Sequence, residues 1–449
     1  MMVQPVLPLR LLLFVSAILI GLFGLSACGA DQEGVPTVSE RSNGQDPRSP
    51  NIILILADDL GIEAISPYGG TRSTPNIARM AENGVQFGNF FATPLCTPSR
   101  TRLLTGKHNY RNYEAFGYLG PRERTLGHSF TEMGYATGYF GKWQLAGIGA
   151  LEGTGAMPHT AGFQQNLIWH LEREERGSRY WKPRLASTSA APPNITVHGE
   201  DVFGPDVLNQ AVLDFIEQHK EKPFFALYSL VLPHDPFVTT PKTPYADNDA
   251  SKFDGMVDYM DHLVGNILSH VDSLNLAEQT LIIFVGDNGT DYKVVSEFGG
   301  RTVKGGKGQT IRTGMQVPFI AYWPGSIPKG HHYQHLVELL DIYPTLLEVS
   351  NISAAEGTLD GVSVYDALLG GKHPVRDAIY MHYDPRWSRW EERKFAFDER
   401  YKLDDEGNFY DHLTDPLEQN ALDVTGLGDD AKRVYERLST VLANQHAHQ

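Results

Sequence analysis

Two runs in this chain restrict its fold more than anything else in it. Asn51–Leu56 is a continuous stretch of Ile and Leu, and Leu281–Val285 is a second apolar stretch. Runs of this length without polar alternation suit strands buried on both faces, as in parallel sheets covered by helices. Each run ends in acid: Asp58 and Asp59 follow Ala57, and Asp287 follows Gly286. Carboxylates therefore stand at the C-terminal edge of two central strands, where open α/β sheets form ligand sites.

Between these runs, helix and strand patterns alternate. A helix should begin at Pro75, capped by Thr74. Further helices are expected over Thr125–Met133, Asp206–His219 and Leu336–Val349, and an amphipathic one over Phe253–Val271. Strands are expected over Tyr135–Phe140, Pro223–Leu230 and Val317–Tyr322. This alternation predicts an α/β fold with a large, mostly parallel central sheet flanked by helices. After Arg376 the texture changes to short strands (Lys394–Tyr401, Asn408–Tyr410) and a closing helix at Asp429–Ala443, which predicts a small C-terminal α+β subdomain. Residues 147–205, rich in Gly, Pro, Arg and Trp, read as an irregular insertion.

Composition narrows the function. The chain has 449 residues and a formal net charge of -16. That acidity argues against a nucleic-acid binder, which would carry a basic patch. Two cysteines exclude a disulfide-dense scaffold. The first, Cys28, follows Arg10, an apolar stretch over Leu11–Leu25 and the small residues Ser26-Ala27. This pattern resembles a bacterial lipoprotein signal, too short to span a bilayer comfortably. It implies lipidation of Cys28 and an address in the bacterial periplasm or outer membrane. Residues 29–50 are polar and read as a flexible tether.

The second cysteine lies in Cys96-Thr97-Pro98-Ser99-Arg100, followed by Thr105-Gly106. With it stand Asp58-Asp59, Gly141-Lys142-Trp143, Pro233-His234-Asp235-Pro236, Gly286-Asp287-Asn288-Gly289 and Gly306-Lys307-Gly308. In this order the set resembles the type I sulfatases of the alkaline phosphatase superfamily, over about residues 50–420. The resemblance implies an alkaline phosphatase-like fold, with residues 51–375 as catalytic domain and 376–449 as C-terminal subdomain.

The resemblance also implies the chemistry. A formylglycine-generating enzyme would convert Cys96 to formylglycine. Its hydrated aldehyde offers two hydroxyls: one attacks sulfur and expels the alcohol, the other drives elimination of sulfate. Asp58, Asp59, Asp287, Asn288 and the modified Cys96 would hold one Ca²⁺, a hard cation suited to oxygen donors. Arg100 would steady the formylglycine. Lys142 and Lys307 would contact sulfate oxygens, and His234 would protonate the leaving alcohol. Alone, each of these residues has a plainer reading as a turn, a cap or a solvated side chain.

Two positions depart from the family pattern. Gln144 stands where the family has a histidine near the formylglycine hydroxyls. Glutamine forms hydrogen bonds but takes up no proton. Either another base serves, or sulfate elimination is slower, or turnover has been lost. Arg312-Thr313-Gly314 replaces the usual Glu-Gly-Gly, so Arg312 either helps hold an anion near Lys307 or is a surface exchange.

The insertion carries Trp169, Arg173, Arg176, Arg179, Trp181 and Arg184, and Arg386–Trp390 repeats that texture. Aromatic faces stack on sugars and arginines bind sulfate or carboxylate. This favours a sulfated saccharide, against an ordinary loop with buried tryptophans. The rivals are a phosphodiester or phosphonate monoester hydrolase on the same scaffold, and a catalytically silent lipoprotein that binds sulfated glycans. A two-zinc phosphatase would need more His and Asp ligands.

Overall fold

The computed structural model describes residues 49–446, apart from 170–176, 191 and 354–356; Cys28, Arg173 and Arg176 lie outside the described residues. The strands are β1 (Asn51–Ala57), β2 (Val85–Phe91), β3 (Ala136–Lys142), β4 (Gln165–Trp169), β5 (Arg184–Ser187), β6 (Asn194–Val197), β7 (Phe224–Ser229), β8 (Thr280–Gly286), β9 (Val295–Phe298), β10 (Arg301–Lys304), β11 (Phe319–Tyr322), β12 (His331–Glu338), β13 (Ile379–Tyr383), β14 (Arg393–Phe397), β15 (Tyr401–Asp404) and β16 (Phe409–Asp411).

Ten strands form one sheet in the order β12-β2-β11-β8-β1-β7-β3-β4-β5-β6. From β8 to β4 neighbours are parallel. Two strands, β11 and β5, run against both of theirs. The apolar run of β1 is continuous because both faces are covered. Ile52, Leu54 and Leu56 enter one core with Leu103, Phe130 and Leu346. Ile53, Ile55 and Ala57 enter the other with Met80, Val212 and Met260. Each buried Ile or Leu contributes roughly 1.5–3 kcal/mol.

Two expectations are corrected. Residues 147–205 are not an irregular insertion: β4 joins the parallel core, and β5 and β6 extend the sheet beyond it. Leu336–Val349 is not one helix. Strand β12 runs to Glu338, a 3₁₀ turn follows at Leu339–Asp341, and the helix starts at Ile342. The break is made by Asp341, whose carboxylate accepts the Glu338 N–H at 2.8 Å.

At the C-terminus β13-β14-β15-β16 form an antiparallel sheet. The helix Asp429–His446 sets Leu438 and Leu442 against Tyr380, Ala396, Leu403 and Phe409. Arg312 ties this sheet to the large one. It donates to Asn89 Oδ1 (2.6 Å), Gln316 Oε1 (2.8 Å) and the Glu399 carbonyl (3.0 Å). Its donors are thus taken up inside the protein, where they can hold neither an anion nor a surface position.

Candidate active site

The predicted residues gather at the C-terminal edge of the parallel strands. Asp58 and Asp59 follow β1, Lys142 ends β3, and Asp287 and Asn288 follow β8. His234 lies in the loop after β7, and Lys307 in the loop after β10. Cys96 opens the helix Cys96–Thr105, every residue of which is buried.

That helix explains its own sequence. Thr97 Oγ1 accepts the Gly117 N–H (3.2 Å), and Ser99 Oγ bonds back to the Thr93 carbonyl (3.1 Å). Pro98 sits in the first turn, where no donor is required. Gly106 ends the helix at φ +64°, a left-handed cap that suits glycine. In β3, Gly141 at φ +111° lets the chain close on Ser229: a Cβ there would fall 1.7 Å from the Ser229 carbonyl oxygen. Trp143, fully buried, donates to the Ala156 carbonyl at 2.8 Å. Between these two anchors Lys142 is aimed at the site.

Charges interlock there. Lys142 Nζ lies 2.7 and 2.9 Å from the two Asp58 oxygens. Arg100 donates to Asp287 Oδ2 through Nε (3.0 Å) and Nη2 (2.9 Å), to the Lys142 carbonyl (3.1 Å) and to Ser229. It therefore reaches Asp287 rather than Cys96, and acts on residue 96 through the helix they share. Lys307 Nζ binds Asp59 Oδ2 and lies 3.1 Å from His234 Nε2. Asn288 Nδ2 donates to Asp59 Oδ1 (2.9 Å), and Asp287 Oδ1 accepts the Asp59 N–H (3.1 Å). Cys96 is a free thiol, 2% exposed, and its Sγ lies 3.3 Å from Gln144 Oε1. Gln144 reaches it from a left-handed backbone, φ +55°.

Burial raises Asp58, but Lys142 and Arg100 outweigh it and hold the carboxyl below its ordinary range. Burial, with Asp58 and Asp59 beside it and only partly offset by Arg100, pushes Asp287 up to about 7. Burial also raises the Cys96 thiol, helped by Asp287 and Asp58 against Lys142. A thiol kept protonated is a poor nucleophile. Burial lowers His234 well below the usual imidazole range, and Lys307 and Arg179 lower it further, so the ring is neutral.

The donor set fits a hard divalent cation. One atom each from Asp58, Cys96 and Asp287 lies within 4.8 Å of the others, and the same holds for Asp58, Asp59 and His234. Among the described residues Asn288 Oδ1 has no hydrogen-bond partner, and it is buried. An amide oxygen left bare among three carboxylates is what such a cation would take up.

Two residues make contacts in the site that the sequence reading did not assign, although Arg179 was named in the insertion's arginine cluster. Arg179, 6% exposed, donates to His234 Nδ1 (2.8 Å) and lies over the Trp169 ring at 4.4 Å. Ser229 joins Arg100 to the Lys142 carbonyl, which its Oγ reaches at 2.8 Å. The arginine cluster of the insertion was visible, but no motif singled out Arg179. Trp169 and Trp181 donate to the Gly177 and Thr239 carbonyls, so both indoles serve the fold.

Comparison with known proteins follows the same lines. The sulfatase family model matches residues 50–352, and that of N-sulphoglucosamine sulphohydrolase, C-terminal, matches 309–447. N-acetylgalactosamine-6-sulfatase of Canis lupus familiaris is 30% identical over 410 residues, covering 84% of this chain and 72% of that one. Arylsulfatase A of Bos taurus is 33% identical over 368 residues, covering 74% and 70%. Among solved structures, Ps i-CgsB in complex with k-i-k-neocarrahexaose has the same fold, with a TM-score of 0.74 at 23% identity over 88% of this chain and 92% of that one.

Proposed function

The chain belongs to the sulfatase family, and from that premise we propose that it hydrolyses sulfate esters of saccharides at a formylglycine made from Cys96, beside a Ca²⁺ held by Asp58, Asp59, Asp287 and Asn288. One observation carries the reading: a buried, protonated thiol lies within 4.8 Å of carboxylate oxygens of Asp58 and Asp287, and Asp58 in turn groups with Asp59, to which the buried Asn288 amide is bonded. The relative named for N-acetylgalactosamine 6-sulfate supports a sulfated sugar as substrate.

The aldehyde hydrate and the metal together supply an activated hydroxyl and a Lewis acid. The chain's own residues do the rest. Lys142 and Lys307 now neutralise Asp58 and Asp59. With a divalent cation held by Asp58 and Asp59, Lys142 and Lys307 would be released from these carboxylates and their ammonium groups would be free to contact sulfate oxygens. An entering sulfate monoester also offsets the cations around His234, which favours the imidazolium needed to protonate the departing alkoxide. Gln144, beside residue 96, accepts or donates a hydrogen bond without removing a proton, so sulfate elimination is the slow half of the cycle.

The test is a release assay over defined sulfated saccharides, with mass spectrometry of the Cys96 peptide. Protein bearing formylglycine should release sulfate, and Cys96→Ala should lose activity by more than about a thousandfold. Fully modified protein that cleaves no sulfate ester would sink the proposal and favour a silent binder. The Leu25–Cys28 run supports a lipid anchor outside the cytoplasm. Cys28→Ala should move the protein from the membrane fraction to the soluble one.

A further inference from the structure

Beside the Lys307 turn lies a groove of about 590 Å³, lined by Lys304, Gly308, Gln309, Arg389, Trp390 and Glu391 among others. It adjoins the catalytic cluster through the backbone. The Gly308 N–H donates to the Pro94 carbonyl (2.8 Å), two residues before Cys96, and the Gly308 carbonyl accepts the Tyr383 hydroxyl (3.2 Å). Trp387 and Trp390 pack on the apolar cluster that contains Cys96 and Tyr383.

Three features of the groove point to a ligand. Trp390 is half-buried and covers Gly308 so closely that a Cβ there would lie 2.1 Å from the indole; the glycine, at φ +85°, makes room for the ring. Arg389 is exposed between two aromatic faces, 4.8 Å from the Trp390 centroid and 5.5 Å from that of Tyr292. Neither Arg389 nor Lys304 has a carboxylate partner among the described residues, whereas Glu391 is matched by Arg393 at 3.0 Å. Two cations without a carboxylate partner thus line one groove with an indole. Stacking on the indole orients the arginine fork toward a planar or tetrahedral anion.

We propose that this groove is a subsite for a second, negatively charged sugar ring, adjoining the ring whose sulfate ester lies at Cys96. The inference rests on the sulfatase reading and deepens it: the substrate is an acidic oligosaccharide, read by Arg389 and Trp390 at a carboxylate or a second sulfate.

The test measures binding apart from turnover. Two tetrasaccharides, each with a terminal 6-O-sulfate, carry either a uronic acid or a second sulfate on the neighbouring ring. Titrated into the full chain carrying Cys96→Ala, at least one should bind, and adding Arg389→Ala or Trp390→Ala should weaken it by at least tenfold. Arg389→Lys should recover only part of the loss. The probe that responds identifies the anion. No binding of either probe, or equal affinity with and without Arg389→Ala, overturns the subsite. Because Trp390→Ala removes packing, Arg389→Ala, at an exposed position, decides where the two disagree. If these affinities behave as expected while formylglycine-bearing protein releases no sulfate, the sulfatase reading fails and the groove stands.

Discussion

Gln144 concentrates what is specific to this chain. Its amide oxygen meets the Cys96 sulfur, and its backbone is left-handed. Histidine is among the residues that tolerate that conformation. Gln144→His should therefore fold and place a base beside residue 96. Turnover should rise by about ten- to a hundredfold if sulfate elimination limits the cycle; an unchanged kcat would show that another group already serves. Asn288 gives a second prediction. Its bare Oδ1 and the three carboxylates should bind Ca²⁺, and at a hundredfold excess over Kd that adds about 2.7 kcal/mol to stability. Thermal melts with and without EGTA should differ, and Asn288→Ala should shrink the difference. At this scale the sequence was most legible, because each chemical residue sits in a short motif, and Asp58, Asp59, Lys142, Asp287 and Asn288 stand at the ends of buried strands. Arg179 was not legible, since it reaches His234 from a distant strand connection that no local pattern marks.

At the scale of elements, the helix Cys96–Thr105 is held from below by Arg100. This guanidinium is buried among Asp287, Asp58 and two β-strand ends. Arg100→Met keeps the bulk but leaves carboxylates buried without their partner, at a cost of about 3–5 kcal/mol. Urea unfolding should show that loss in the metal-free protein, and a change below 1 kcal/mol would contradict the assignment. Most elements of the parallel core could be read from apolar runs and caps. The boundary at Glu338 could not. The apolar pattern continues through it, and Glu338 and Asp341 look like the wet face of one helix. They in fact face inward, toward Arg102 and Arg376. Strand β6 was missed for the opposite reason: Asn194–Val197 is exposed along its whole length and carries no burial pattern, while β5 is only four residues long with Leu185 and Ala186 buried.

For the molecule as a whole, two histidines, His412 buried and His108 half-buried, contribute to the response to acid. His108 lies 3.3 Å from Arg102, and burial, offset in part by Glu338, lowers it to about 4. His412 lies 3.2 Å from Arg312, and burial with that cation lowers it to about 3. Both are neutral in the folded chain, while an unfolded histidine gains a proton near its ordinary value of 6.5. At these two positions the unfolded state binds more protons between pH 6.5 and 4, so their contribution to stability falls as pH drops through that window, whereas Asp287, raised to about 7, and Asp341, raised to about 6, act in the opposite sense. Each histidine should cost on the order of 2 kcal/mol between pH 7.5 and 5. Urea midpoints at the two pH values, compared between the chain and its His108→Gln, His412→Gln variant, should show it: the variant should lose less stability, or gain more, on going to pH 5.

The complete burial of the helix that Cys96 opens has a consequence in time. A folded chain offers a modifying enzyme no thiol to grasp, so the proposed conversion of Cys96 would have to precede the docking of that helix, and a molecule that folded first would stay inert. The specific activity of a preparation then records the outcome of a race during synthesis. Unmodified protein should gain activity when unfolded and refolded with the formylglycine-generating enzyme, and none when the two are mixed in the native state.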